Sequence, residues 1–295
     1  MKRYPAFDPP EYVAWKRDDG DVEEFRQRLA ADPDRAAIID RLTEDERLDL
    51  YRGLVRTRLT DIALKRWVRQ GVISKAWLGT GEEATTVGPI AALRKTGTRN
   101  EERGSGADSP PRDRLSHASS FLVPRSDFVA PMIRNSGACS EMGMPVADIF
   151  RAYMGTADGP TRGRDGHYGS FEHGVIAPIS HVGDMVPIVT GIALSFAMRG
   201  TGQVAMTWIG DGSTKAGVAH EGLNFAAVRR VPAIFIVQNN QVALGTRLEQ
   251  HHLPATTSRF ADWPRAYGMW GGEFDGNNGV DAYAIGALGV ETCRG

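Results

Sequence analysis

The sequence has little cysteine, with only Cys139 and Cys293 among its 295 residues. Two thiols cannot build a disulfide framework, and such sparing use fits a reducing, cytoplasmic compartment. It also lacks a charge excess: the formal net charge is −1. Neither a general basic field for nucleic acid nor an acidic solvating tail is therefore present. No apolar run approaches the roughly 18 residues of a membrane span. Met1 to Arg17 mix Lys and Arg with Asp8, Glu11, Pro5, Pro9 and Pro10. That is neither a secretory signal nor an acid-poor transit peptide. No repeat is visible. These absences exclude nucleic acid and membrane as expected partners.

What remains is a globular pattern. Residues 1–42 read as an arm with one short helix around Val22–Ala31. Thr43-x-x-Glu46 is a capping box that opens a longer helix, carried by Leu48, Leu50, Leu54, Val55, Leu59, Ile62, Leu64 and Trp67 and expected to stop near Gly71. A further helix is expected over Glu82–Leu93. Thr98–Ser120 is rich in Gly, Ser, Pro, Arg and Asp and reads as a low-complexity loop. Pro145–Met154 reads as helix and Gly159–Gly174 as a glycine-rich loop. From Pro187 onward the pattern alternates: helix Ile188–Arg199, strand Val204–Ile209, helix from about Ala216 to Arg229, strand Ala233–Gln238. Alternation with apolar strands predicts an α/β unit over 43–295, with a parallel sheet covered by helices.

The chemistry lies just beyond those strands, where open parallel sheets bind ligands. Gly210-Asp211-Gly212-Ser213 follows the first strand, and Asn239-Asn240 follows the second after an interval of 26 residues. A carboxylate and a carboxamide thus meet at one point, with glycines that admit a ligand to the backbone. Oxygen donors of this kind suit Mg²⁺, which shares its octahedron with phosphates and water. A helix beginning just after Ser213 would aim its first N–H groups at the same anion.

This pair resembles the cofactor motif of thiamine diphosphate enzymes. The longer string, with Glu221–Ala227, Pro232–Phe235 and Gly245-Thr246, is similar to the alpha subunit of the decarboxylating component of 2-oxo acid dehydrogenases. The resemblance runs from about Thr43 to Arg294, apart from the Thr98–Ser120 loop. Gly163–Gly169, Gly71–Ser74 and Gly81–Glu83 resemble the branched-chain type.

The resemblance implies a thiamine diphosphate-binding α/β fold, a parallel sheet flanked by helices on both faces. It implies a 2-oxo acid decarboxylated on thiamine diphosphate and an acyl group passed to a lipoyl arm. Mg²⁺ would be held by Asp211, the side chain of Asn240 and the backbone carbonyl of Val242. Cofactor contacts would come from Arg134, Ser180, Val182, Gly210, Gly212, Ser213 and Leu244, the bulky wedge that bends the cofactor. His167 would be the catalytic residue. Ile133 stands where the family has the tyrosine of a Tyr-Arg motif. Implied partners are a beta subunit, in a two-alpha, two-beta assembly, and a lipoyl-bearing acyltransferase. The beta subunit would supply the glutamate that activates the aminopyrimidine. A strand and a Tyr-Arg-x-Gly-His loop are expected beyond Gly295, so the chain reads as incomplete at its carboxyl end.

Two other readings stay open. One is a truncated, non-catalytic paralogue that only pairs with a partner subunit. The other is an NAD-dependent oxidoreductase, because Gly79-Thr80-Gly81-Glu82-Glu83-Ala84 fits a dinucleotide fingerprint. That fingerprint must follow a buried strand, and Ile73–Leu78 is short and mixed. His181 and His220 read as structural, His251-His252 as part of a polar loop, and Cys139 as inert.

Overall fold

The computed structural model describes residues 19–95, 126–252 and 259–295. The stretch 1–18 and the loop expected at 98–120 lie outside them. Three helices come first: α1 (Asp19–Ala31), α2 (Pro33–Asp40) and α3 (Glu44–Arg69). The capping box forms as expected. Thr43 Oγ1 accepts from the Glu46 amide at 3.2 Å, and the Glu46 carboxylate accepts from the Thr43 amide at 2.9 Å. α2 is a correction to the arm with one helix. Asp32 caps it, Pro33 starts it, and it buries Ile38 and Ile39 against Ala284 far along the chain. Eight residues with two buried isoleucines carry too short a period to be seen in the sequence.

The elements that follow are α4 (Glu83–Ala91), β1 (Phe128–Ala130), α5 (Ser136–Glu141), α6 (Val146–Met154), α7 (Met185–Arg199) and β2 (Ala205–Gly210). Then come α8 (Gly217–Arg229), β3 (Ala233–Gln238), the two-residue strands β4 (Val242–Ala243) and β5 (Thr246–Arg247), α9 (Trp263–Tyr267) and α10 (Gly279–Arg294). α7 starts three residues ahead of expectation. Pro187 reads as a boundary in the sequence, but proline is tolerated in a helix's first turn, where its missing N–H has no partner to lose.

Among the described residues the main sheet is parallel, in the order β1-β2-β3, with Phe128 opposite Ala205 and Ala205 opposite Ala233. Helices cover both faces. Met206 and Trp208 of β2 pack with Ile90 of α4, Cys139 of α5 and Val290 of α10. On the other face Ala205 joins Val189 and Phe196 of α7 and Ala226 of α8, while Ile209 meets Val186 and Leu223. The period-2 alternation along β2 is thus read by two different helix layers. Trp208 buries its indole fully because its Nε1 donates to the Thr85 carbonyl at 2.8 Å. α4 and α10 lie close together because Gly88 meets Ala282 and Gly286 meets Pro89, where a Cβ would stand only 2.6 Å from the facing atom. This arrangement places the carboxyl ends of β2 and β3 side by side, with Gly210 opposite Gln238.

Candidate active site at the strand ends

Asp211 leaves β2 directly into a single 3₁₀ turn, Gly212–Lys215, and α8 begins only at Gly217. The helix thus starts within one residue of the expected Ala216, but the N–H groups directly after Ser213 belong to the 3₁₀ turn and not to α8. The backbone first makes one tight turn, in which the Thr214 hydroxyl donates to the Asp211 carbonyl at 2.5 Å. Asp211 is 2% exposed, and its Oδ2 is buried without a hydrogen-bond partner among the described residues. A carboxylate oxygen left in that state costs free energy on the order of 1–3 kcal/mol unless a ligand meets it.

Arg134 faces the same turn. A Cβ on Gly210 would stand 3.4 Å from Arg134 Nη2, and that Nη2 is itself buried without a partner among the described residues. The other side of the guanidinium is fixed: Nε donates to Glu82 Oε2 at 2.8 Å. The same Glu82 oxygen accepts from Gln238 Nε2. Gln238 Oε1 in turn accepts from Asn135 Nδ2 at 2.9 Å, which also donates to Thr86 Oγ1 at 2.6 Å. A buried polar chain running from α4 through β3 thus holds Arg134 with one face unused. The site offers an orphaned carboxylate and an orphaned guanidinium N–H together, which fits a cation bound to a phosphate-like anion.

Asn239 and Asn240 form successive turns in which each carboxamide oxygen accepts an amide two residues on: Gln241 and Val242, both at 3.1 Å. The Asn240 side chain is exposed, and its oxygen keeps a second lone pair. The chain then enters the β4–β5 hairpin, whose Ala243 packs onto Gly212. A Cβ there would lie 2.5 Å from the Ala243 Cβ. Leu244, at the hairpin tip, is 83% exposed in left-handed backbone with φ +53°. A leucine in that conformation is strained by about 1 kcal/mol or more, as is common at ligand clamps.

His167 belongs to a second cluster. Its Nδ1 lies 2.8 Å from Asp165 Oδ1, and its Nε2 lies 3.1 Å from Ser180 Oγ. The His167 amide, then its ring, hold the Asp165 carboxyl below its ordinary value. Val182 is exposed, and the neighbouring Gly183 abuts Ala216 and the Ser213 carbonyl. The segment carrying Ser180 and Val182 therefore borders the turn after Asp211. His220 is tied to Tyr267 Oη at 2.5 Å and to the Thr214 carbonyl at 3.0 Å, a structural role. Burial pushes the Cys139 thiol up to about 12.

His251 reads from the sequence as part of a polar loop, but the structure places it at this site. Its Nε2 lies 3.7 Å from Asp211 Oδ2. No local pattern signals this, since the β4–β5 hairpin and the turn after it carry the ring across. Conversely, Gly79–Ala84 lacks the context of a dinucleotide site. Ile73–Leu78 is irregular backbone, and the Gly79 amide and Thr80 hydroxyl are both spent on Asp61 Oδ2.

A cavity of about 1560 Å³ follows β3 and reaches Glu82, Asn240 and Val242 at its carboxyl end. Among the described residues no three His, Cys, Asp or Glu side chains converge as a self-sufficient metal cage, and no helix is long and apolar enough to cross a membrane.

Comparison with known proteins points to one family. The family model described as Dehydrogenase E1 component matches residues 98–291. The chain is 29% identical over 245 residues to the 2-oxoisovalerate dehydrogenase subunit alpha of Bacillus subtilis, covering 82% of this chain and 64% of that protein. It is 28% identical over 258 residues to the pyruvate dehydrogenase E1 component subunit alpha of Bacillus cereus, covering 86% and 58%. To the 3-methyl-2-oxobutanoate dehydrogenase subunit alpha of Mycobacterium tuberculosis it is 29% identical over 246 residues, covering 83% and 56%. The chain thus spans less than two thirds of the length of these curated relatives. With more than half of its residues matched by one family model, and its strand-end donors arranged as described, the chain belongs to the dehydrogenase E1 component family.

Proposed function

We propose that this chain acts as the alpha-type subunit of a 2-oxo acid dehydrogenase, holding thiamine diphosphate and a divalent cation beyond the carboxyl ends of β2 and β3. The observation that carries the reading is a pair of orphaned atoms at the end of β2: Asp211 Oδ2, and the Arg134 Nη2 that faces the neighbouring Gly210. Asp211, the Asn240 carboxamide and the Val242 carbonyl would hold Mg²⁺, and Arg134 would grip the diphosphate with the N–H that Glu82 leaves unused. Gly210 leaves room beside Arg134, Gly212 lets the β4–β5 hairpin pack onto the turn, Ser213 lines the approach, and Leu244 presents an apolar wedge. When bound, thiamine diphosphate supplies the carbon nucleophile and electron sink that a 2-oxo acid needs to lose CO₂. This chain's own part is to bind, neutralise and orient. His167, steered by Asp165 at Nδ1, presents its Nε2 to the Ser180 hydroxyl at the edge of the site.

The substrate class we propose is a branched-chain 2-oxo acid, supported by the Gly163–Gly169 run and by the names of two relatives. The partners are a beta subunit and a lipoyl-bearing acyltransferase. Calorimetry of thiamine diphosphate in Mg²⁺ tests the core of the proposal. Asp211→Ala should abolish Mg²⁺-dependent binding while the protein stays folded, and unchanged affinity would move the metal site elsewhere. Turnover by the chain alone should be negligible beside that of a co-expressed pair with a beta subunit. The pair should favour 2-oxoisovalerate over pyruvate with an artificial electron acceptor.

A further inference from the structure

We infer that His251 is a direct ligand of the divalent cation at Asp211, and that it biases the site from Mg²⁺ toward a transition-metal ion such as Mn²⁺. The inference rests on the reading of Asp211 as a metal ligand. His251 follows the 3₁₀ turn Leu248–Gln250, and its amide donates back to the Leu248 carbonyl at 3.1 Å. That turn directs the imidazole over the end of β2. Its Nε2 stands 3.7 Å from Asp211 Oδ2, which is too long for a hydrogen bond. Yet Asp211 Oδ2 and both ring nitrogens of His251 are closed to solvent and have no hydrogen-bond partner among the described residues. The His251 side chain is only 14% exposed.

A plain imidazole–carboxylate pair would close this gap, as His167 and Asp165 do at 2.8 Å in the same chain. Lys215 does not fill it, because its Nζ is turned to His252 Nδ1 at 2.6 Å. A shared cation does fit. Nitrogen and oxygen ligands of one small divalent ion, each about 2.0–2.2 Å from it, stand at most about 4.3 Å apart. An all-oxygen set suits Mg²⁺, whereas imidazole suits later divalent metals. A site with Asp211, the Asn240 carboxamide and one imidazole therefore discriminates differently from one built of oxygens alone.

The test uses the full chain with thiamine diphosphate and Mn²⁺, read by electron-spin-echo spectroscopy and by Mn²⁺/Mg²⁺ competition. The wild type should show modulation from a directly bound nitrogen. His251→Ala should lose that signal, still bind Mn²⁺ through Asp211, and prefer Mn²⁺ over Mg²⁺ by about ten-fold less. Asp211→Ala should lose both metals. Bound Mn²⁺ without nitrogen modulation in the wild type, or an unchanged metal preference in His251→Ala, overturns the role of His251 and leaves the Asp211 site standing. Failure of the wild type to bind Mn²⁺, or equally tight binding by Asp211→Ala, overturns the metal-site reading and the inference with it.

Discussion

Asp281, in the first turn of α10, and Asp211, at the end of β2, are both sealed from water, one at 0% and the other at 2% exposure. Their surroundings differ. Asp281 Oδ1 accepts from Arg35 Nη1 at 3.0 Å, and its Oδ2 accepts from the Asp275 amide at 2.8 Å. Arg35 is itself completed by Asp32 Oδ2 and by the Glu273 carbonyl. Asp211 Oδ2 has no such partner. A buried charge that is fully paired fastens two parts of a fold together. A buried charge with an orphaned oxygen is a cost carried by the fold until a ligand arrives.

The largest effect should come from breaking the satisfied member. Asp281→Ala strips buried Arg35 of its fully buried carboxylate, leaving it Asp32 and the Glu273 carbonyl, and should cost about 3 kcal/mol in urea unfolding. Affinity for thiamine diphosphate, measured where the variant is folded, should not change. A loss below about 1 kcal/mol would mean that Arg35 finds water and that the pairing is incidental.

Asp61 is a third buried aspartate and sharpens the contrast through pH. Burial first, then the nearby Glu83, push its carboxyl up to about 7. The folded protein therefore keeps a proton that the unfolded chain releases near pH 4. Stability from this group is fully present below that point and is lost as pH rises toward about 7, by about 4 kcal/mol at most. Asp61→Asn should flatten that decline between pH 4 and 7 relative to wild type, measured as unfolding free energy across the range. An identical pH slope in both proteins would show that Asp61 ionises normally.

Asp211→Asn should act with the opposite sign to Asp281→Ala. In metal-free protein, neutralising the orphaned carboxylate should leave stability unchanged or raise it by about 1 kcal/mol. A substantial loss would mean that Asp211 is structural and would dissolve the contrast. The smallest effect supplies a scale. Thr43→Ala removes only an exposed cap at α3 and should cost about 1 kcal/mol, with no change in cofactor binding.

The parts of this protein that could be read without coordinates are those encoded over a few residues. The capping box at Thr43 and Glu46 spans four positions and forms as expected. β3 spans Ala233–Gln238 as its apolar run predicts, and β2 is shifted by one residue. α2 escaped notice because its apolar side is defined by α10, which follows it by some 240 residues. The same division runs through the candidate site. The succession of strand and Gly-Asp-Gly determined that Asp211 would stand at a strand end, because a strand's direction decides where its last residue points. Only the tertiary structure decided what surrounds it. Arg134 is oriented by Glu82 and Gln238, which are 156 residues apart in sequence. His251 reaches Asp211 through a hairpin and a turn whose packing no local period records. Local spacing sets backbone conformation through contacts a few residues away, whereas a side chain's partners depend on which helices cover which face of the sheet.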